Sequence, residues 1–186
     1  MNKHPNLLSA ANSLIVIVDF QGKLSAVMPD ADKVRSHITI LLEAAQRLFV
    51  PVVVTEQYPQ GLGHTEAAIS EHFPEQTPIF EKSGFSCYAA DGFSDALHST
   101  GRKQIVLLGQ EAHVCVLQTA MELLFDGYQV QIVEDAVCSR THEHKLGALE
   151  RLRQQGATIT NYESVLFEWL RDAAHPEFKS ISRLLR

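Results

Sequence analysis

The stretch QIVLLGQEAHVCVLQT, residues 104–119, decides how the rest of the chain is read. It begins as a short apolar run, breaks at Gly109 and restarts as a helical pattern with Cys115 in its first turns. A strand that feeds a helix in this way is the unit of a parallel α/β sheet. A thiol just past such a strand lies near backbone N–H groups that favour its anion. What the remaining residues must supply is a base, a cation and a pocket.

Outward from this stretch the alternation repeats. Residues 14–18 (LIVIV) form a β-branched run, the composition of a strand covered on both faces. Val34, Ile38, Leu41, Leu42, Ala45 and Leu48 recur at three- and four-residue steps. They predict a helix over 31–49, capped by Asp30 and stopped by Pro51. Residues 52–55 predict a second strand and 79–82 (IFEK) a third, followed by a short helix over 92–100. Between these strands, 56–78 is rich in Pro and Gly, with a short helix at 65–72; so long an irregular stretch points to function. Downstream, a helix over 113–125, a strand over 129–133, a helix over 142–155 and a strand over 157–160 follow in turn. Asn161 caps a helix holding Val165, Leu166, Trp169 and Leu170, and Pro176 starts a last one. The expectation is one domain over 1–186, a three-layer α/β/α with a six-stranded parallel sheet. Ligands in such sheets bind beyond the carboxyl ends of the strands, where strand order reverses.

A chain of 186 residues with 45% apolar content buries roughly 70% of its unfolded surface and needs no staple. The net charge of −6, with basic residues scattered, argues against a nucleic-acid partner. Three cysteines without metal-type spacing fit free thiols in a reducing compartment. No apolar run approaches about 18 residues and the start, MNKHPNLLSAANS, lacks a signal-peptide core. A cytoplasmic protein that does not bind membranes is expected. Gly61-Leu62-Gly63 lacks the third glycine of a dinucleotide fingerprint, and neither a phosphate-loop lysine nor a serine elbow occurs.

Three reactive side chains fall at strand ends: Asp19 after the first, Lys82 at the third and Cys115 after the fourth. A strand order of 3-2-1-4-5-6 would set Asp19 and Cys115 on one crevice. A free thiol has a pKa of about 8.5, and lowering it by about two units corresponds to about 2.7 kcal/mol. A helix N-terminus supplies roughly 0.3–1 kcal/mol, at most about 2, so a nearby ammonium such as Lys82 is needed. Asp19 could take the thiol proton and return it to a leaving amine. The amides of Glu111 and Cys115 could hold an oxyanion.

The Asp…Lys…Cys order, with the IVDFQ and GQEAHVCVLQTA stretches, resembles the isochorismatase-like cysteine hydrolase superfamily. The segments VVVTEQYPQGLGHT, FEKSGFSC, VEDAVCSR and RDAAHPEFKSISRLL look most like its small isochorismatase domain-containing branch. The resemblance spans nearly the whole chain. It implies the six-stranded sheet, a triad of Asp19, Lys82 and Cys115, and a cis peptide at Gln110-Glu111 that aims the Glu111 amide into the oxyanion hole. It also implies amidohydrolysis through an acyl-thioester, and a homo-oligomer. Two departures matter. The metal-binding Asp-x-His of nicotinamidases is replaced by Glu56-Gln57-Tyr58, so neither a metal nor another cofactor is expected. Isochorismatases proper typically lack the nucleophilic cysteine that Cys115 supplies here.

The expected substrate is a small carboxamide, with Phe20, Gln57, Tyr58, Phe85 and His113 as candidate contacts and Tyr88 as a further wall. Cys87 and Cys138 read as structural thiols, and His142 and His144 as a solvated helix start. His64 and His72 lie in the long loop. The competing readings are a silent scaffold that keeps the fold, a hydrolase of a non-amide substrate, and a redox thiol protein without a Cys-x-x-Cys pair.

Overall fold

The computed structural model describes residues 4–185. Six parallel strands form one sheet: β1 (Ser13–Val18), β2 (Val52–Gln57), β3 (Ile79–Lys82), β4 (Gln104–Gln110), β5 (Gln129–Cys138) and β6 (Thr158–Thr160). Their order is β3-β2-β1-β4-β5-β6, as expected. The reversal lies between β1 and β4, which pair from Ser13↔Gln104 to Val18↔Gly109.

Alternation along the buried strands sends side chains into two cores. Ile15, Ile17, Val52, Val54, Val106 and Leu108 face α2 (Ala31–Leu48), α8 (Tyr162–Leu170) and α9 (Phe178–Ser182). Leu14, Val16, Val18, Val53, Ile105 and Leu107 face α5 (Phe93–Ser99), α6 (Leu117–Phe125) and α7 (His142–Gln154). Both faces are covered, which explains why the strands read as continuous apolar runs.

Several boundaries differ from the sequence expectation. The α2 helix ends at Leu48 with Phe49 in the left-handed conformation, and Asp30 starts it without a side-chain cap. Asn161 does cap α8, accepting from the Ser164 amide at 2.8 Å. Strand β4 does not break at Gly109 but runs on to Gln110. Gly109 has φ +112°, and a Cβ there would lie 2.1 Å from the Val18 carbonyl oxygen. Glycine therefore lets β4 continue tight against β1 where a side chain would force it away. Strand β5 extends through Glu134 and Asp135 to Cys138, with its register against β4 shifting past Leu107. Two short helices in loops escaped prediction, α1 (Gly22–Ser25) and α3 (Pro59–Leu62), while α4 occupies only Ala67–Ser70. No helix is long and apolar enough to cross a membrane, among the described residues.

Candidate active site

The end of β1 turns sharply. Asp19 has φ +48°, a region that Asp tolerates better than most residues. Its amide donates to the Thr55 carbonyl at 3.1 Å, its carbonyl accepts from the Gln21 amide at 2.9 Å, and its side chain is fully buried. Oδ1 accepts from the Thr55 hydroxyl at 2.8 Å and Oδ2 from Lys82 Nζ at 2.7 Å. Lys82 reaches it across β2, because β1 and β3 are not neighbours. Its ammonium also donates to Gln57 Oε1 at 2.7 Å, to the Phe85 carbonyl at 2.9 Å and to that of Gly84 at 3.2 Å.

Past β4 the chain passes through a cis peptide at Gln110-Glu111 and a single π turn (Ala112–Val116) into α6. The Glu111 carbonyl accepts from the amides of Val114 and Val116, leaving the Cys115 amide outside that pair. Cys115 is 6% exposed, and its thiol is close enough to the Asp19 carboxyl for each to shift the pKa of the other. The fold thus brings Asp19, Lys82 and Cys115 together, all buried, at the carboxyl ends of β1, β3 and β4.

Burial raises the Asp19 carboxyl above its ordinary range, opposed by Lys82, Thr55 and Cys115. Burial also pushes the Cys115 thiol up, the Asp19 charge adds to this, and Lys82 only partly offsets both. Burial therefore acts on the thiol in the direction opposite to the helix N-terminus and the cation. A carboxyl raised above its ordinary range takes and returns a proton more readily than a free one.

A buried shell holds these groups. Gln110 Nε2 donates to Ser25 Oγ at 3.0 Å and to the Asp19 carbonyl at 3.2 Å, tying the end of β4 to the turn after β1. Its Oε1 accepts from Cys138 Sγ at 3.4 Å. Cys87 lies 3.4 Å from Thr55 Oγ1. Burial pushes both Cys87 and Cys138 up to about 12, so they serve as neutral packing thiols. Thr55, Gln110 and Gln21 were not anticipated from the sequence; polar side chains ending an apolar strand were the available signal.

The other anticipated contacts scatter. Phe20 is fully buried in the α2-side core, its ring 5.9 Å from the Arg35 guanidinium, and presents no wall. Gln57 has its amide occupied by Lys82 and by the Ser83 carbonyl at 2.7 Å. Tyr58 and Phe85 are 58% and 55% exposed. Tyr58 borders a depression of about 240 Å³ whose edge includes Lys82. Tyr88 instead donates to Asp126 at 2.7 Å. His113 Nδ1 is 3.0 Å from Ser139 Oγ, and its ring stacks on His144 at 4.6 Å. Burial lowers the pKa of His113, with Glu111 opposing. The Glu111 carboxylate pairs with Arg140 at 2.9 Å.

At the position of the nicotinamidase metal motif, Glu56 accepts from the Thr65 amide at 2.6 Å, the Thr65 hydroxyl at 2.8 Å and His64 Nδ1 at 2.8 Å. Burial works to raise Glu56, but these donors together lower it. The carboxylate closes the 56–65 loop. His72 lies apart, 3.7 Å from Glu43 on α2. Among the described residues, no three His, Cys, Asp or Glu side chains converge as metal ligands.

Residues 13–164 match the model of the isochorismatase domain. Isochorismatase family protein 1B of Dictyostelium discoideum is 40% identical over 172 residues, covering 91% of this chain and 84% of the relative. A secreted isochorismatase effector of Phytophthora sojae is 39% identical over 178 residues, covering 94% of this chain and 85% of the relative. The MAR1 ribonuclease of Caenorhabditis elegans superposes with a TM-score of 0.91 at 36% identity, covering 96% of this chain and 91% of that one. Sheet order, strand-end site and these likenesses agree, and the chain belongs to the isochorismatase family of hydrolases.

Proposed function

We propose that this chain is a cysteine hydrolase that cleaves the C–N bond of a small carboxamide. The observation that carries the reading is the buried pair of Asp19 and Lys82, 2.7 Å apart, beside the buried thiol of Cys115. As Sγ attacks the carbonyl carbon, the thiol proton passes to Asp19. The oxyanion is held by the amides of Glu111 and Cys115. Collapse breaks the C–N bond, Asp19 returns its proton to the departing nitrogen, and a thioester remains on Cys115. Water then attacks the thioester while Asp19 takes its proton, and the acid leaves as the thiol regains one. Lys82 stabilises the ionised Asp19 and the sulfur as it develops negative charge. No metal enters the scheme, so a chelator should leave turnover unchanged.

We read the whole chain as one catalytic domain working in the cytoplasm, given three buried free thiols. We read it as a homo-oligomer, a reading supported by the exposure of Phe85 and of Phe125 at the end of α6, the latter 93% exposed. The name of the nematode neighbour makes RNA the competing substrate. The acidic charge and a thiol poised beside a proton carrier favour acyl transfer. The test is a panel of small amides together with an RNA oligonucleotide, on the wild-type chain and Cys115→Ala. Amide turnover, a thioester mass adduct on Cys115 and an inactive but folded variant are expected. Full amide turnover by Cys115→Ala would sink the covalent route, as would turnover confined to RNA.

A further inference from the structure

Strand β2 carries none of the three reactive groups, yet it lies between the strands that supply two of them. Its residues Thr55 and Gln57 are two apart, on the face toward Cys115. Thr55 bonds Asp19 and Gln57 bonds Lys82. We infer that Gln57 is the positioning residue of Lys82: a neutral acceptor that aims the ammonium at Asp19 without neutralising its charge. The inference rests on the Cys115 mechanism above and replaces the expectation that Gln57 contacts substrate.

The geometry leaves Gln57 little freedom. Lys82 has only N–H groups to offer, so the amide oxygen must face it and the amide nitrogen must face away. The nitrogen does so, donating to the Ser83 carbonyl at 2.7 Å. The backbone of Gln57 is clamped as well: its amide donates to Gln21 Oε1 at 2.8 Å and its carbonyl accepts from Gln21 Nε2 at 3.0 Å. Gln57 and Lys82 are register partners across β2 and β3, which brings the amide to the ammonium.

An ammonium donates three hydrogen bonds. The acceptors around Lys82 are Asp19, Gln57 and the carbonyls of Gly84 and Phe85, and of these only Asp19 carries charge. The cation is thus saturated with hydrogen bonds but faces a single anion. A second carboxylate at position 57 would compete with Asp19 for Lys82 and add negative charge to the crevice. Both effects oppose a developing thiolate.

The test compares the wild type with Gln57→Glu and Gln57→Met. The readouts are the rate of Cys115 alkylation by iodoacetamide against pH, by peptide mass, and the urea midpoint of each protein. Gln57→Glu should slow the reaction at pH 8 by about tenfold, the equivalent of about one pKa unit. Gln57→Met loses the aim of the ammonium without adding charge and should slow it by clearly less. A purely structural role would slow the two variants in step with their urea midpoints. Equal slowing in both variants at matched midpoints, or none in Gln57→Glu, overturns the inference. Cys115→Ala separates it from the mechanism: an inactive Cys115→Ala beside an unslowed Gln57→Glu removes only the role given to Gln57. Turnover surviving in Cys115→Ala removes the mechanism itself.

Discussion

Replacing Gly109 by alanine puts the tightest contact of the crevice to the test. The backbone there has φ +112°, which an L-residue adopts at a cost of about 1–3 kcal/mol. The new Cβ would sit 2.1 Å from Val18 O, 2.7 Å from Val18 N and 2.8 Å from Val18 C, all backbone atoms that no rotamer change can clear. The β1–β4 ladder would have to open until the closest contact exceeded 3.0 Å, at the register pair that precedes Asp19 directly. Overpacking of this kind costs about 1–3 kcal/mol, so the expected total is about 4 kcal/mol. Gly156→Ala is the control: its φ is +100°, but a Cβ there meets nothing within 4 Å. It carries the backbone cost alone. Urea unfolding of both variants at neutral pH should show Gly109→Ala with the midpoint lowered by about 2 M at an m-value of about 2 kcal/mol/M. Gly156→Ala should lose about half as much. Cys115 alkylation should change only in Gly109→Ala, because only that substitution moves β1 against β4. Equal losses of stability and unchanged alkylation in the two variants would refute the close approach as the device that sets the crevice.

Three other outcomes follow from the charges. Lys82→Met leaves Asp19 buried without its cation and should destabilise the fold by about 3 kcal/mol at pH 7. A raised carboxyl contributes stability that is present below pH 3.8 and lost as pH climbs through its folded pKa. The deficit should therefore shrink in melts at pH 4, and one independent of pH would contradict the pairing. Glu56→Gln should cost about 1.5–3 kcal/mol at pH 7. A lowered carboxyl stabilises above pH 4.5 and loses that effect as pH falls through its folded value, so the two proteins should converge in acid melts. Finally, Cys115 alkylation should keep rising by about tenfold per unit through pH 7–9 without levelling. A plateau below pH 8.5 would mean a resting thiolate and contradict the upward push of burial on the thiol.

Much of the fold is legible because strand and helix periods differ. The β-branched runs of β1, β2 and β4 and the three- and four-residue spacing of α2 need no tertiary context to be read. Boundaries are less legible where polar residues remain in the ladder. Glu134 and Asp135 look like a strand end, yet β5 continues to Cys138 because its backbone still pairs with β4. Phe20 looks like a wall residue beside Asp19, but the turn at φ +48° sends the chain back and the ring enters the other core.

By itself, the sequence determined the alternation of strand and helix and the presence of an acid, an amine and a thiol at three strand ends. Those are local facts, carried by hydrophobic period and by position along the chain. Only the tertiary structure decided what those groups become. Thr55 bonds a residue 36 positions away, Gln57 one 25 away and Gln110 one 91 away, and no local pattern encodes such pairs. The direction of the Cys115 shift belongs to the same class. The chain places a cation near the thiol, but burial, which only the fold sets, pushes it up, and Lys82 offsets that only in part.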